Sequence, residues 1–321
     1  MERIAKYSKL KQRSREMGLF VKDLVKEFPH REDYQKLEAN VLTCANYLVF
    51  NNYYTIEEIK LTKFFSCKKH MLCPFCAARR AVKLGTKNTE RFTQVTEESP
   101  ELIPAMLTIT VKNGEDLKDR FDHLKNSFRK LQKHRRQWIS TGRGKSEFCK
   151  IEGAAFSYEI AHSNEKGWHP HIHMIVLLNN YIDIKKFSEE WKAITGDSFI
   201  VDIRKLKANT NKNTNNAIVD AMQEVFKYAV KFSDLTLERQ FEAYETLKGQ
   251  RLIGSFGLLH GVKIPESLTD DLEIYEELPY IEMHYSFMPS KNAYDLKQTF
   301  DRKALVEAVS NEEECTTTSR E

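Results

Sequence analysis

The sequence predicts an α+β protein built around an antiparallel sheet. Three observations carry that expectation. Two apolar runs, 154–161 and 167–178, flank the turn-forming stretch His162-Ser-Asn-Glu-Lys-Gly167, the pattern of a β-hairpin. Before the hairpin, Leu117, Phe121, Leu124, Phe128 and Leu131 recur at helical spacing and form one apolar stripe. Short β-rich runs at 105–111 and 199–206 bracket the whole block.

Taken in order, residues 1–30 are basic and then mixed, with Lys9, Lys11, Arg13 and Arg15 close together, and read as helical or loosely ordered. Leu37, Val41, Cys44, Leu48 and Val49 predict an amphipathic helix over 33–51. A cysteine-rich stretch follows, then a helix starting near Ala77. The run 105–111 ends at Lys112-Asn-Gly, a strand and its turn. The striped helix covers 116–138, and after the hairpin Phe187, Trp191 and Ile194 mark a second helix over 184–194. The strand at 199–206 leads through a polar loop, 208–216, to a third helix over 217–232 with Val219, Met222, Phe226 and Val230 apolar.

The order β-α-β-β-α-β-α contains in its first six elements a ferredoxin-like split βαβ unit, an antiparallel sheet with its helices on one face. On this reading the hairpin lies mid-sheet and its imidazole-bearing face is free of helix cover. Three regions are expected: 1–100, helical and basic with the cysteines; 101–235, the core; and 236–321, ending in a partly disordered acidic tail.

Composition sets outer limits. The chain has 321 residues, 41% hydrophobic and 30% charged, enough for a substantial core. No apolar run reaches the length of a membrane span, and Met1-Glu-Arg-Ile-Ala-Lys is no signal peptide, so the expectation is a cytoplasmic protein without membrane contact. The net charge of +4 hides an asymmetry. Residues 60–91 carry nine Lys or Arg against one acid, and residues 118–145 carry ten against two. Such segregation suits a polyanion partner, although solvated helix faces give the same pattern.

The hairpin carries the first chemistry. Side chains alternate along a strand, so His169, His171 and His173 share a face. A turn centred near Glu165 sets Glu159 opposite His171 on that face. Imidazoles with a carboxylate suit Mn²⁺, Zn²⁺ or Ni²⁺ in an open, catalytic site. In Cys67-Lys-Lys-His-Met-Leu-Cys-Pro-Phe-Cys76, four ligand types fall within ten residues, and Cys67, His70, Cys73 and Cys76 could complete a tetrahedral structural Zn²⁺ site. Buried thiols or a redox pair are the alternatives. On the third helix Glu224, Tyr228 and Lys231 are spaced four and three apart and project from one side. A phenol beside a cation can act as a nucleophile, and a half-buried tyrosine meeting water is the plainer alternative.

Together these motifs resemble the replication initiators of rolling-circle plasmids from Gram-positive bacteria, within the HUH class of single-strand DNA endonucleases. Met106-Leu-Thr-Ile-Thr is similar to their first-strand motif. Gly167-Trp-His-Pro-His-Ile-His-Met-Ile-Val-Leu is similar to their metal motif, and Lys227-Tyr-x-x-Lys231, with Glu224, to their catalytic helix. The cysteine cluster with Arg79-Arg80 adds to the likeness, which covers roughly residues 65–235.

The resemblance implies an HUH nuclease core with Mn²⁺ or Mg²⁺ on His171, His173 and either Glu159 or His169. It implies a Tyr228 nucleophile forming a 5′-phosphotyrosyl link and freeing a 3′-OH primer, Glu224 serving resolution, and Lys231 steering the phenol or neutralising phosphate. Arg79, Arg80, Lys130, Lys133, Arg135, Arg136 and Trp168 are the expected DNA contacts, the aromatic by stacking. Partners would be plasmid origin DNA at a single-stranded or hairpin nick site and a host helicase and DNA polymerase, with a homodimer left open. A relaxase or transposase of the same class, and a zinc-dependent nucleic-acid-binding protein without chemistry, are the rival readings.

Overall fold

The computed structural model describes residues 2–206, 221–222, 225–226, 235–261, 267–272, 275 and 278–302. The chain forms two compact units, the first from Met1–Arg79 with Glu266–Glu321, the second from Arg80–Pro265. The region from 236 onward is divided between the two: residues up to Pro265 belong to the second unit, and the strands beyond Glu266 complete the sheet of the first.

In that unit the helices α1 (Glu2–Glu27) and α2 (Glu32–Thr43) pack on each other. Gly18 is where they meet closely, since a Cβ there would lie 2.5 Å from Leu42 Cδ2. The strands β1 (Tyr47–Tyr53) and β2 (Glu58–Phe64) form a hairpin. Near the far end of the chain, β8 (Ile281–Met288) and β9 (Ala293–Asp301) extend it to an antiparallel sheet of order β2-β1-β8-β9. The helix expected over 33–51 is thus half strand. Cys44 turns extended (ψ 125°), Ala45 takes a positive φ of 52°, and the β-prone Tyr47-Leu-Val-Phe run pairs with β2 and β8.

The second unit holds a five-stranded antiparallel sheet of order β6-β3-β5-β4-β7. Its strands are β3 (Ile103–Thr110), β4 (Ile151–Ser163), β5 (Gly167–Leu178), β6 (Val201–Lys205) and β7 (Ile253–Gly257). The helices are α3 (Pro74–Glu98), whose residues from Arg80 onward belong to this unit, α4 (Leu117–Thr141), α5 (Ile184–Thr195) and α6 (Leu237–Leu247). Local chemistry sets their ends: Asp116 and Asp183 cap α4 and α5 through backbone N–H groups, and Gly142 and Gly196 close them in the left-handed conformation.

Helices cover both faces of this sheet, a correction to the one-sided arrangement expected. On one face Phe121 and Phe128 of α4 meet Phe156 and Tyr158, and Phe187 of α5 stacks near Phe148. On the other, Leu84, Phe92 and Val95 of α3 and the helical residues Ala221, Met222, Val225 and Phe226 bury Ala155, Ile175 and Leu177. That second face is the one bearing the imidazoles. Val225 reaches toward them, its carbonyl accepting the Ser157 hydroxyl. Among the described residues, no helix is long and apolar enough to cross a membrane.

Candidate metal centre

The β4–β5 register sets Glu159 against His171 and Ser157 against His173, as the predicted turn requires. Cross-strand partners share a face, so one carboxylate and two imidazoles converge. His173 Nε2 lies 2.9 Å and His171 Nε2 3.4 Å from Glu159 Oε2. Each of the three residues offers a ligand atom within 4.8 Å of the others. Glu159 is 4% exposed and His171 6%, so the donors are largely withdrawn from water, which strengthens their hold on a cation.

The outer nitrogens of the imidazoles are also engaged. His173 Nδ1 is 2.9 Å from Thr108 Oγ1 on β3, and His171 Nδ1 is 3.3 Å from the His169 carbonyl. A proton on Nδ1 in each ring leaves the Nε2 lone pairs aimed at the cluster, the tautomer a metal site needs. His169 stands apart from the cluster, its Nδ1 paired with Asn113 Oδ1 at 2.6 Å. Between the two alternatives for a third ligand, the geometry gathers Glu159. Thr108 and Asn113 were not singled out from sequence. The β3–β5 register, which sets Thr108 opposite His173, is the signal that identifies the first of them.

A second cluster lies in the first unit. Cys44, Cys67, Cys73 and Cys76 bring their sulfurs within 4.8 Å of one another, all buried and all free. The fourth member is Cys44, where the sequence suggested His70, which is not part of the group. Cys44 was hidden because it follows the end of α2, 23 residues before Cys67, and reads there as one more apolar helix position. Backbone and hydroxyl groups surround the sulfurs: Cys67 N–H donates to Cys44 Sγ at 3.4 Å and Cys76 N–H to Cys73 Sγ at 3.5 Å. Ser14 Oγ and Ser66 Oγ lie 3.2 and 3.3 Å from Cys73 and Cys76. Hydrogen bonds from Cys44, Cys67 and Cys73 hold the Cys76 thiol well below its ordinary range, while hydrogen bonds within the cluster and burial push Cys67 and Cys44 above theirs. Four cysteine sulfurs in one buried volume suit Zn²⁺.

Three of the expected DNA contacts are structural. Arg79 is 4% exposed and bonds to the Asp270 carboxylate, the Tyr7 hydroxyl and the Leu268 carbonyl. Arg135 is buried against the carbonyls of Ile151 and Glu152. Trp168 is wholly buried, its indole N–H donating to Glu242 at 3.2 Å, so no ring face is open to a base. Lys130, Lys133 and Arg136 are exposed on α4, and Arg80 is half-buried. Glu224, Tyr228 and Lys231 lie outside the described residues, as do the loop 208–216 and the acidic tail.

Residues 58–292 match the Replication protein family, and the chain belongs to that family. It is similar to a protein named Protein rep from a Bacillus species, 28% identical over 269 residues that span 74% of this chain and 83% of the relative. Another Protein rep, from Staphylococcus aureus, is 28% identical across 73% of this chain and 96% of its own length. A third, from Streptococcus pneumoniae serotype 2 (strain D39 / NCTC 7466), is 27% identical across 77% and 76%. No solved structure matches the chain. Family and relatives together support a plasmid replication initiator of the rolling-circle type.

Proposed function

We propose that the chain starts rolling-circle replication by nicking one strand of its plasmid origin. The observation that carries this reading is the convergence of Glu159, His171 and His173 on one sheet face. The strand order β6-β3-β5-β4, with α4 and α5 as crossovers, supports a ferredoxin-like core of the HUH type. A divalent ion, Mn²⁺ or Mg²⁺, held by these three residues would polarise the scissile phosphate.

The chain's own residues do the rest. The Tyr228 phenolic oxygen attacks phosphorus. The bond to the 3′ oxygen breaks and that oxygen takes a proton, giving a 5′-phosphotyrosyl link and a 3′-OH primer. Lys231 favours the phenolate and neutralises phosphate. Glu224 later draws a proton from water or from a second attacking hydroxyl and so releases the link. Val225, three positions before Tyr228, packs on the strand face that carries Ser157, next to the imidazole pair, which supports a place for this helix beside the site.

A structural Zn²⁺ on Cys44, Cys67, Cys73 and Cys76 belongs to the same reading, as do a host helicase and DNA polymerase working from the 3′-OH in the cytoplasm. Exposed Lys130, Lys133 and Arg136, with Arg80, would contact the DNA backbone. A gel shift for covalent adduct on end-labelled origin oligonucleotide with Mn²⁺ tests the function directly. A protein that binds the oligonucleotide yet forms no adduct with any divalent ion is a binding module instead.

A further inference from the structure

Along β4, Phe156 and Tyr158 alternate with Ser157 and Glu159, so they face the opposite side of the sheet from the metal cluster. On that reverse side, between α4 and β7, lies a cavity of about 360 Å³. Phe156 and Phe256 form its apolar part, and Lys125, Arg129, Arg136 and Arg251 stand around it. Among the described residues, no carboxylate lines it. Among these same residues, Lys125 donates to the neutral amide of Gln250 and lies over the Phe121 ring, and Arg251 donates to a backbone carbonyl. Arg129 and Arg136 make no ion pair or hydrogen bond with a described residue. Arg135, also at the wall, is spent on carbonyls and lies over the Phe256 ring. Gly254 lets the Phe156 ring lie across its backbone at the cavity wall, because a Cβ there would fall 2.5 Å from the tip of the ring.

Four cations gathered without a counter-charge repel one another, and the arrangement is relieved by an anion. Guanidinium forks suit phosphate, and the half-buried phenylalanine rings of the wall suit a nucleobase. We propose that this cavity binds one unpaired nucleotide of single-stranded origin DNA, its phosphates on Arg129, Arg136 and Arg251 and its base against Phe156 and Phe256. The proposal rests on the DNA-processing reading but concerns a subsite separate from the scissile phosphate. The alternation of β4 puts the sheet itself between the two, so a strand engaged at both passes around the sheet edge.

The test uses the full chain and single-stranded DNA carrying 5-iododeoxyuridine, without added divalent metal. Photocross-links should map to the peptides containing Phe156 or Phe256. The double variant Arg129→Ala/Arg251→Ala, both exposed positions, should bind about tenfold more weakly at physiological salt. The slope of log affinity on log salt should fall by about 1.4, since each phosphate contact on a single strand contributes roughly 0.7. Phe156→Leu should lower affinity without changing the slope. Adduct formation on a short oligonucleotide confined to the nick site should be unchanged in the arginine variant. Wild-type affinity and slope in that variant, cross-links mapping only elsewhere, or equal displacement by free deoxynucleotide would each overturn the proposal. A wild-type protein that binds but never nicks sinks the nuclease reading alone; a nicking protein with unaffected variants sinks the subsite alone.

Discussion

Thr108 Oγ1 lies 2.9 Å from His173 Nδ1, a hydrogen bond between β3 and the outer nitrogen of an imidazole whose Nε2 faces Glu159. It gives the Met106-Leu-Thr-Ile-Thr segment a physical task, orienting the ring from the neighbouring strand. Thr108→Val keeps the β-branched shape and removes the hydroxyl. Affinity for Mn²⁺ should fall by about 10–100-fold, the usual cost of losing such an outer partner. Calorimetric titration of the purified variant reads this directly, and an unchanged Kd would show that the hydroxyl is incidental.

His171→Ala and His173→Ala should each abolish nicking with Mn²⁺ or Mg²⁺ while origin DNA is still bound. Each removes one of the three donors converging on the sheet face. Full cleavage by either variant would rule out a metal role for the pair.

The four-sulfur cluster makes a sharper claim than its motif. Cys44→Ser should release zinc and lower the melting temperature as much as Cys73→Ser does, and His70→Ala should retain one zinc per chain. Elemental analysis of freshly reduced protein decides it. Zinc retained in Cys44→Ser but lost in His70→Ala would restore the ligand set suggested by the sequence.

Tyr228→Phe should form no covalent adduct, whereas Glu224→Ala should form it and fail to resolve it. Adduct time courses on a labelled origin oligonucleotide separate the two roles. Decay in Glu224→Ala at the wild-type rate would leave the carboxylate no part in termination.

Arg79 predicts a stability effect rather than a DNA effect. Burial tends to raise the Asp270 carboxyl, but the Arg79 charge and hydrogen bonds from Leu61 N–H, Arg79 and Arg3 outweigh it and hold the group below its usual range. A depressed folded-state value stabilises above the ordinary carboxylate pKa of about 3.9, and that contribution is lost as pH falls through the folded value. Wild type should therefore lose more stability on acidification below that point than Asp270→Asn. Arg79→Ala should cost about 3 kcal/mol, the low end for a buried pair because Arg3 still reaches Asp270. Its salt slope for DNA should match wild type. A normal melting temperature with a reduced slope would return Arg79 to the DNA surface.

What could be read in the chain follows from the range of each signal. The hairpin and its Glu159–His171 register were legible because turn chemistry and alternation are local. The capped helices α4 and α5 were legible for the same reason. Cys44 was not, because what makes it a neighbour of Cys76 is a tertiary approach across 32 positions. β1 was read as helix because Leu48 and Val49 extend the periodicity of α2, while the partner that turns them into a strand, β8, lies more than 200 residues away. Arg79, Arg135 and Trp168 misled for a related reason: charge or aromaticity in a sequence says nothing of whether a carbonyl or carboxylate awaits it inside.

That distant β1–β8 pairing also governs how the protein comes into being. During synthesis β1 is made more than 200 residues before its partner β8, so for that stretch of translation the first sheet is a lone β1–β2 hairpin with one flank open. All strands of the second sheet have left the ribosome by then and can close on their own. The nascent chain should thus become protease-resistant from the middle outward, with the thiol-bearing amino-terminal part the last to be secured although it is the first to be made.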